Sequence, residues 1–210
     1  MKQNKLVKGR TNIIGITGGV GAGKSSVLDI ISRSYNARII LSDDVANDIK
    51  KKGCPAYSEL ISLLGDRILG DDQEIDRKKM AEAIFGDPIL LKKVNMILHP
   101  AVNTYILDNI RSERESRRYD FVFVEAALLI ENGYKDIVDE LWYVYADEDI
   151  RRDRLRRFRG YSDEKISDIF ARQLDDDSFR KNCDFVIDNS GSLNEAFEQV
   201  DNRLKSIGEW

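Results

Sequence analysis

The chain reads as an α/β protein, a parallel sheet whose strands are joined by helices. Three observations predict this. Five short runs, Ile13–Thr17, Arg38–Leu41, Phe121–Glu125, Leu141–Tyr145 and Phe185–Ile187, are apolar and rich in Val, Ile, Phe or Tyr, as strands buried on both faces are. Helical patterns separate them, which calls for right-handed crossovers. The first run also enters GITGGVGAGKSSV (residues 15–27), where five glycines surround one lysine and two serines, followed by an apolar helical face of Val27, Leu28, Ile30 and Ile31.

Taken in order, residues 1–11 carry Lys2, Lys5, Lys8 and Arg10 without the apolar stretch of a signal peptide, and read as a flexible solvated tail. Residues 12–210 then read as a single domain. The connection over residues 42–120 is far longer than the dozen or so residues a crossover needs. It reads as helices over Val45–Lys52, Tyr57–Leu64, Arg77–Phe85, Leu90–Leu98 and Val102–Arg111, punctuated by the three prolines, Pro55, Pro88 and Pro100. This predicts a helical lobe at about 45–118 inserted in a core of 12–44 and 119–210. Ser192-x-x-Glu195 is a capping box, and Leu193, Ala196, Phe197, Val200, Leu204 and Ile207 line one face of the final helix.

Composition narrows the function. With 42% hydrophobic and 33% charged residues, 210 residues suit one compact domain. A net charge of -4 speaks against a nucleic-acid partner, although basic residues cluster at 111–118 and 151–159. One histidine and two distant cysteines, Cys54 and Cys183, make a soft-ligand zinc site a poor reading. No apolar run approaches the roughly 18 residues of a membrane span. A cytoplasmic protein without membrane attachment is expected.

Gly18-Gly19-Val20-Gly21-Ala22-Gly23-Lys24-Ser25 fits G-x-x-x-x-G-K-[ST] at every fixed position. Glycine costs roughly 0.5–1 kcal/mol relative to alanine inside a regular element, so five together need a purpose. Here they let successive backbone N–H groups turn toward a polyphosphate at a helix N-terminus. Lys24 then reaches the β- and γ-phosphates, and the Ser25 hydroxyl ligates Mg²⁺. The Lys24 side chain is expected to face solvent when the site is empty. A guanine-specific switch wants N-K-x-D, which is absent, and its D-x-x-G has a match only at Asp188–Gly191, far too late. A motor ATPase usually needs a longer chain. A small-molecule kinase fits best, and an assay for ADP release separates it from a binding protein without turnover.

Ser42-Asp43-Asp44 follows the second strand, whose carboxyl end faces the same crevice as the phosphate loop. A carboxylate there can take the proton of an attacking hydroxyl, or cap the helix at Val45, and one Asp can do each. Asp149–Gly160 holds six arginines, which suit the charge spread over γ-phosphate oxygens, although most belong to a solvated helix face.

In chain order, GITGGVGAGKSSV, SDDVA, LHPAV, EAALLIE and CDFVIDNSGS resemble the dephospho-CoA kinase family, from about Ile13 to Leu204. The resemblance implies a P-loop NTPase fold, a three-layer parallel sheet with an inserted helical substrate lobe and an Arg-rich lid at about 154–163. It implies ATP and Mg²⁺, dephospho-CoA as acceptor through its ribose 3′-hydroxyl, and no obligate protein partner. The runner-up is a nucleotide or nucleoside kinase of the same architecture. Implied catalytic residues are Asp43, Lys24 and Arg154. Gly18, Gly19, Val20, Gly21, Ala22, Gly23, Lys24, Ser25, Ser26, Arg157 and Asn189 would hold the nucleotide. Thr17, Asp43, Arg77 and His99 would face the acceptor, His99 as a cap or wall without a proton-transfer role. Ser25 and, through water, Glu125 would bind Mg²⁺. Three positions depart from the family pattern. Leu41 replaces its first aspartate, Ala127 replaces a proline before Leu128-Leu129, and Phe158 stands where the next lid arginine would fall, leaving Arg157 or Arg159 for that role.

Overall fold

The structure, a computed structural model, describes residues 5–126 and 129–206. Ala127 and Leu128 lie outside the described residues, as does Ile207. Strands β1 (Asn12–Thr17), β2 (Ala37–Leu41), β3 (Phe121–Glu125), β4 (Glu140–Tyr145) and β5 (Phe185–Asp188) form one sheet in the order β2-β3-β1-β4-β5. β1 pairs in parallel with β3 and β4, and β4 with β5. In chain order the α-helices are α1 (Lys24–Ser34), α2 (Ser42–Asp48), α3 (Pro55–Leu64), α4 (Arg77–Ile84), α5 (Pro88–Ser116), α6 (Glu148–Arg159), α7 (Asp163–Phe170), α8 (Asp176–Asn182) and α9 (Leu193–Lys205). The chain forms two compact units, Met1–Ile39 with Glu113–Trp210, and Ile40–Ser112.

In the first unit every residue of β1 is buried, which is why its sequence shows no alternation. Phe121, Phe123, Trp142 and Phe185 form a continuous aromatic row, with ring centroids 6.2, 5.7 and 5.1 Å apart. Three strands start one residue earlier than their expected runs, β2 at Ala37 and β1 and β4 at the polar residues Asn12 and Glu140. Both residues are fully buried and hydrogen-bonded, so their polarity hid strand positions. The Glu140 carboxylate accepts from Trp142 Nε1 at 2.7 Å and pairs with Arg203 at 2.5 Å. A second buried carboxylate, Glu113, accepts from Arg38, Arg118 and Ser116. Burial pushes Glu113 up, but these hydrogen bonds outweigh it and hold the carboxyl below its ordinary 4.5.

The expected loose tail over 1–11 does not hold for residues 5–11. Leu6 and Thr11 are buried, Lys5 N–H donates to Glu140, and Val7 N–H donates to Asn12 Oδ1 at 2.8 Å. The buried ends of β1 and β4 need these partners, and the tail supplies them. In α9 the capping box forms as expected, with Ala196, Val200 and Leu204 buried.

The second unit packs Leu60, Leu64, Ile68, Met80 and Val94 into its own core. Pro55 opens α3 at its first turn, where no N–H is missed, and Asp76 caps α4 by accepting from Lys79 N–H. Pro100 does not break the chain as expected. The two helices expected around it are one continuous helix, α5, with Pro100 inside. Proline removes only the bond to the Met96 carbonyl, and Met96 is 67% exposed, so water can serve that oxygen. Nor does α2 start at Val45. It starts at Ser42 and ends at Asp48, with Leu41 as its N-cap and no side-chain cap bond. Neither Asp43 nor Asp44 is therefore the cap. The unit boundaries at 40 and 112 also stand outside the expected 45–118 at one end and inside it at the other.

Candidate active site

The strand β1 ends at Thr17, and residues 18–23 turn directly into α1. Gly23 caps the helix in the left-handed region, φ 92°, and a Cβ there would lie 2.3 Å from Asn189 Nδ2. No side chain caps α1 and no acid stands in its first turn, which leaves the positive helix end for an anion. Ser25 and Ser26 are exposed in that turn.

Lys24 is not solvent-facing. Its side chain is 15% exposed, its Nζ donates to Gly18 O at 2.8 Å, and it stands 3.6 Å from Glu125 Oε1 at the end of β3. A parallel register places Ile16 opposite Glu125, so the lysine that opens α1 directly after the loop meets an acid on the neighbouring strand. Thr17 is 1% exposed, and among the described residues its Oγ1 has no hydrogen-bond partner.

Arg154 and Asn189 brace the loop. Asn189, buried at the end of β5, donates Nδ2–H to Ala22 O at 2.7 Å. Arg154 donates to Ala22 O at 3.3 Å and to Asn189 O at 2.8 Å. Arg157 is not brought to the loop. It pairs with Asp153 at 2.9 Å on the exposed side of α6, and Phe158 is 81% exposed. The stretch expected as a lid is, through Arg159, the C-terminal part of α6, closed by a left-handed Gly160.

Two residues with no assigned role meet the loop tip. Arg151 donates to Val20 O at 2.9 Å and to Gln173 Oε1 at 2.7 Å, and Gln173 Oε1 also accepts from Val20 N–H at 3.3 Å. The i, i+3 spacing of Arg151 and Arg154 on one helix face was the available signal. Gln173 had none, since it comes from the connection between α7 and α8.

In the second unit, Asp43 is exposed in the first turn of α2, Arg77 opens α4, and His99 is exposed inside α5 rather than between two helices. The three stand on three different helices. Arg77 lines a cleft of 380 Å³ with Asn47, Lys50, Lys51, Glu74 and Ile75. Burial, then the nearby Arg77 charge, pushes the Lys50 ammonium below its ordinary value. Three cations, Arg77, Lys50 and Lys51, and one anion, Glu74, thus line the cleft, which is basic on balance.

A phosphate loop at the centre of a parallel sheet is shared by many proteins, and comparison with known ones narrows it. The family model for dephospho-CoA kinase matches residues 12–195. Dephospho-CoA kinase of Carboxydothermus hydrogenoformans is 39% identical over 189 residues, 90% of each chain. That of Aquifex aeolicus is 35% identical over 188 residues, 89% of this chain and 93% of the relative. Among solved structures, the TT1252 protein of Thermus thermophilus aligns with a TM-score of 0.74 at 27% identity, covering 95% of this chain and all of that one. Shikimate kinase of Acinetobacter baumannii shares the fold alone, with a TM-score of 0.51 at 14% identity. A match spanning β1 to the start of α9, and so including loop, helical unit and final strand, leaves one conclusion: this chain belongs to the dephospho-CoA kinase family.

Proposed function

We propose that this chain transfers the γ-phosphoryl group of ATP to the ribose 3′-hydroxyl of dephospho-CoA, the final step of coenzyme A synthesis and the reaction of its family. The observation that carries this reading is the uncapped N-terminus of α1 beside Lys24, an anion cradle with a cation built into it. Backbone N–H groups of residues 18–26 and Lys24 hold the β- and γ-phosphates. Arg154 adds its guanidinium, and Asn189 keeps the Ala22 end of the loop in place. Ser25 and Glu125 offer the oxygen ligands that Mg²⁺ prefers. Among the described residues no cluster of three His, Cys, Asp or Glu side chains stands ready for a metal, which suits an ion that arrives on its nucleotide. When bound, Mg²⁺ neutralises charge on the transferring oxygens.

The Asp43 carboxylate takes the proton of the 3′-hydroxyl, and Thr17, Arg77 and His99 face the acceptor. Arg77 and its basic cleft suit the phosphates of dephospho-CoA. Partners are these small molecules, and the compartment is the cytoplasm. In support, no helix among the described residues is long and apolar enough to cross a membrane. The test is ADP release by the purified chain with ATP and a panel of acceptors. Dephospho-CoA is expected to be used, with AMP, CMP, UMP and pantetheine far poorer. A nucleoside monophosphate with comparable kcat/KM would replace this reading by a nucleotide kinase.

A further inference from the structure

Arg151 is a half-buried cation with no carboxylate in direct contact among the described residues. The carboxylates of Glu148 and Asp176 act on it only at longer range, and burial pushes its guanidinium below its ordinary value. Every other partner is neutral: Val20 O, Gln173 Oε1 and the face of Phe170, 4.1 Å from the ring centroid. Withdrawing an arginine from water without a counter-charge in contact costs stability, so its place needs a reason. The reason lies beside it. A Cβ on Gly19 would come within 2.4 Å of Arg151 Nη2, and one on Gly21 within 3.0 Å of the Arg151 carbonyl, so the guanidinium and its helix lie against bare loop backbone. Gln173 Oε1, meanwhile, accepts from both the Val20 N–H and Arg151 Nη2. One neutral oxygen therefore holds two donors that point to the same place, as a phosphate oxygen would.

We infer that Arg151 is a further phosphate-binding residue of this site, and that Gln173 is its positioning residue, whose carbonyl oxygen occupies the place of a phosphate oxygen until a polyphosphate displaces it. Arg151 thereby supplies the second guanidinium of α6 that Phe158 cannot provide and that Arg157, paired with Asp153 on the solvent side, does not bring to the loop. The exchange is favourable because a neutral acceptor is replaced by a charged one at a guanidinium fork. The inference rests on the phosphate-loop reading above.

The test is calorimetric titration of inorganic tripolyphosphate, and separately of adenosine, into the wild-type chain and its variants, with thermal unfolding of each empty protein. Arg151→Gln should weaken tripolyphosphate by about 10- to 100-fold, the loss of a charge-assisted pair, while adenosine binding is unchanged. Arg151→Lys should recover part of the loss. Gln173→Glu should move two readouts in opposite directions. Its carboxylate pairs with Arg151, so the empty protein melts higher, yet tripolyphosphate binds at least about tenfold more weakly. That variant also carries the test if Arg151→Gln fails to fold. Unchanged tripolyphosphate affinity in Arg151→Gln, equal loss of tripolyphosphate and adenosine, or a Gln173→Glu protein that is more stable with unaltered affinity would each overturn the inference. A wild-type chain that binds no tripolyphosphate would instead sink the reading of the loop itself, and this inference with it.

Discussion

Between Thr17 and Lys24 the polypeptide is held almost wholly by neighbours. Ala22 O takes bonds from Asn189 and Arg154, Val20 is held at both its N–H and its C=O, and Lys24 is turned in on Gly18 and Glu125. The helical unit is the reverse. Its core is small, and around it Phe85, Ile89 and Met96 are 89, 72 and 67% exposed, while Asp43 and His99 stand on the surface of separate helices. A site that binds by backbone must be rigid before its ligand arrives, since each amide has to point correctly. A surface that binds by side chains needs only to offer them. Substitutions should therefore separate stability from turnover in the helical unit and entangle them at the loop.

The largest expected effect tests the separable side. Asp43→Asn should lower kcat by about 10²–10⁴-fold, the range for a positioned acid–base group. The unfolding midpoint should stay within a degree or so, because Asp43 is exposed and makes no cap bond. Asp44→Asn, equally uncapped, should change neither. A drop in stability with either variant would undo the contrast.

Next comes the entangled side. Lys24→Ala should reduce kcat by about 10²–10³-fold, the loss of one preorganised stabiliser of developing charge. It should also lower the melting temperature of the empty protein, since it strands the Glu125 carboxylate, 19% exposed, beside the loop. Added Mg·ATP should no longer raise that temperature. Lys24→Met with Glu125→Gln should regain the stability and none of the turnover. An empty Lys24→Ala protein as stable as wild type would show the loop to be as separable as the helical unit.

A pH titration sharpens the comparison within the first unit. The folded Glu113 carboxyl is held below its unfolded value, so its contribution to stability is present above that value and is lost as pH falls through the lower folded one. Melting temperature should thus fall on acidification below about pH 4.5. Glu113→Gln should be less stable at pH 7 and should lose less between pH 5 and pH 3. Parallel curves for the two proteins would remove Glu113 from the account.

The smallest effect concerns Thr17. Among the described residues its buried Oγ1 has no partner, and an unsatisfied hydroxyl costs about 1–3 kcal/mol. Thr17→Val keeps the shape and should raise stability by about 1 kcal/mol or less. If the hydroxyl serves the acceptor, KM for dephospho-CoA should rise in the same variant while the KM for ATP does not. A less stable Thr17→Val protein would mean the hydroxyl is satisfied after all.

The strands were legible because burial on both faces leaves continuous apolar runs, and Phe121–Glu125 begins and ends where its run does. Asn12 and Glu140 were not, because Glu140 is explained only by Arg203 and Lys5, far away in sequence, and Asn12 only by Val7 and Arg10, in a segment whose charges suggest solvent. In the tail the charges suggest solvent, yet Leu6 packs inside. At Pro100 the local rule was sound and the outcome differed, since one lost hydrogen bond is small against the rest of a helix as long as α5.

By itself the sequence determined the parallel sheet, the phosphate loop, the capping box of α9 and the family, since each is written in contiguous residues whose meaning depends on period, spacing or backbone freedom. Tertiary structure alone decided that Lys24 turns inward to Glu125, that Asn189 and Arg154 brace Ala22, and that Arg151, one arginine among six in its run, is the one that meets Gln173 and the loop tip. The physical reason is that a hydrogen bond is specified by where two groups meet in space. Gln173 and Val20 lie 153 residues apart along the chain, and only the packing of the connection after α7 against the loop brings them together.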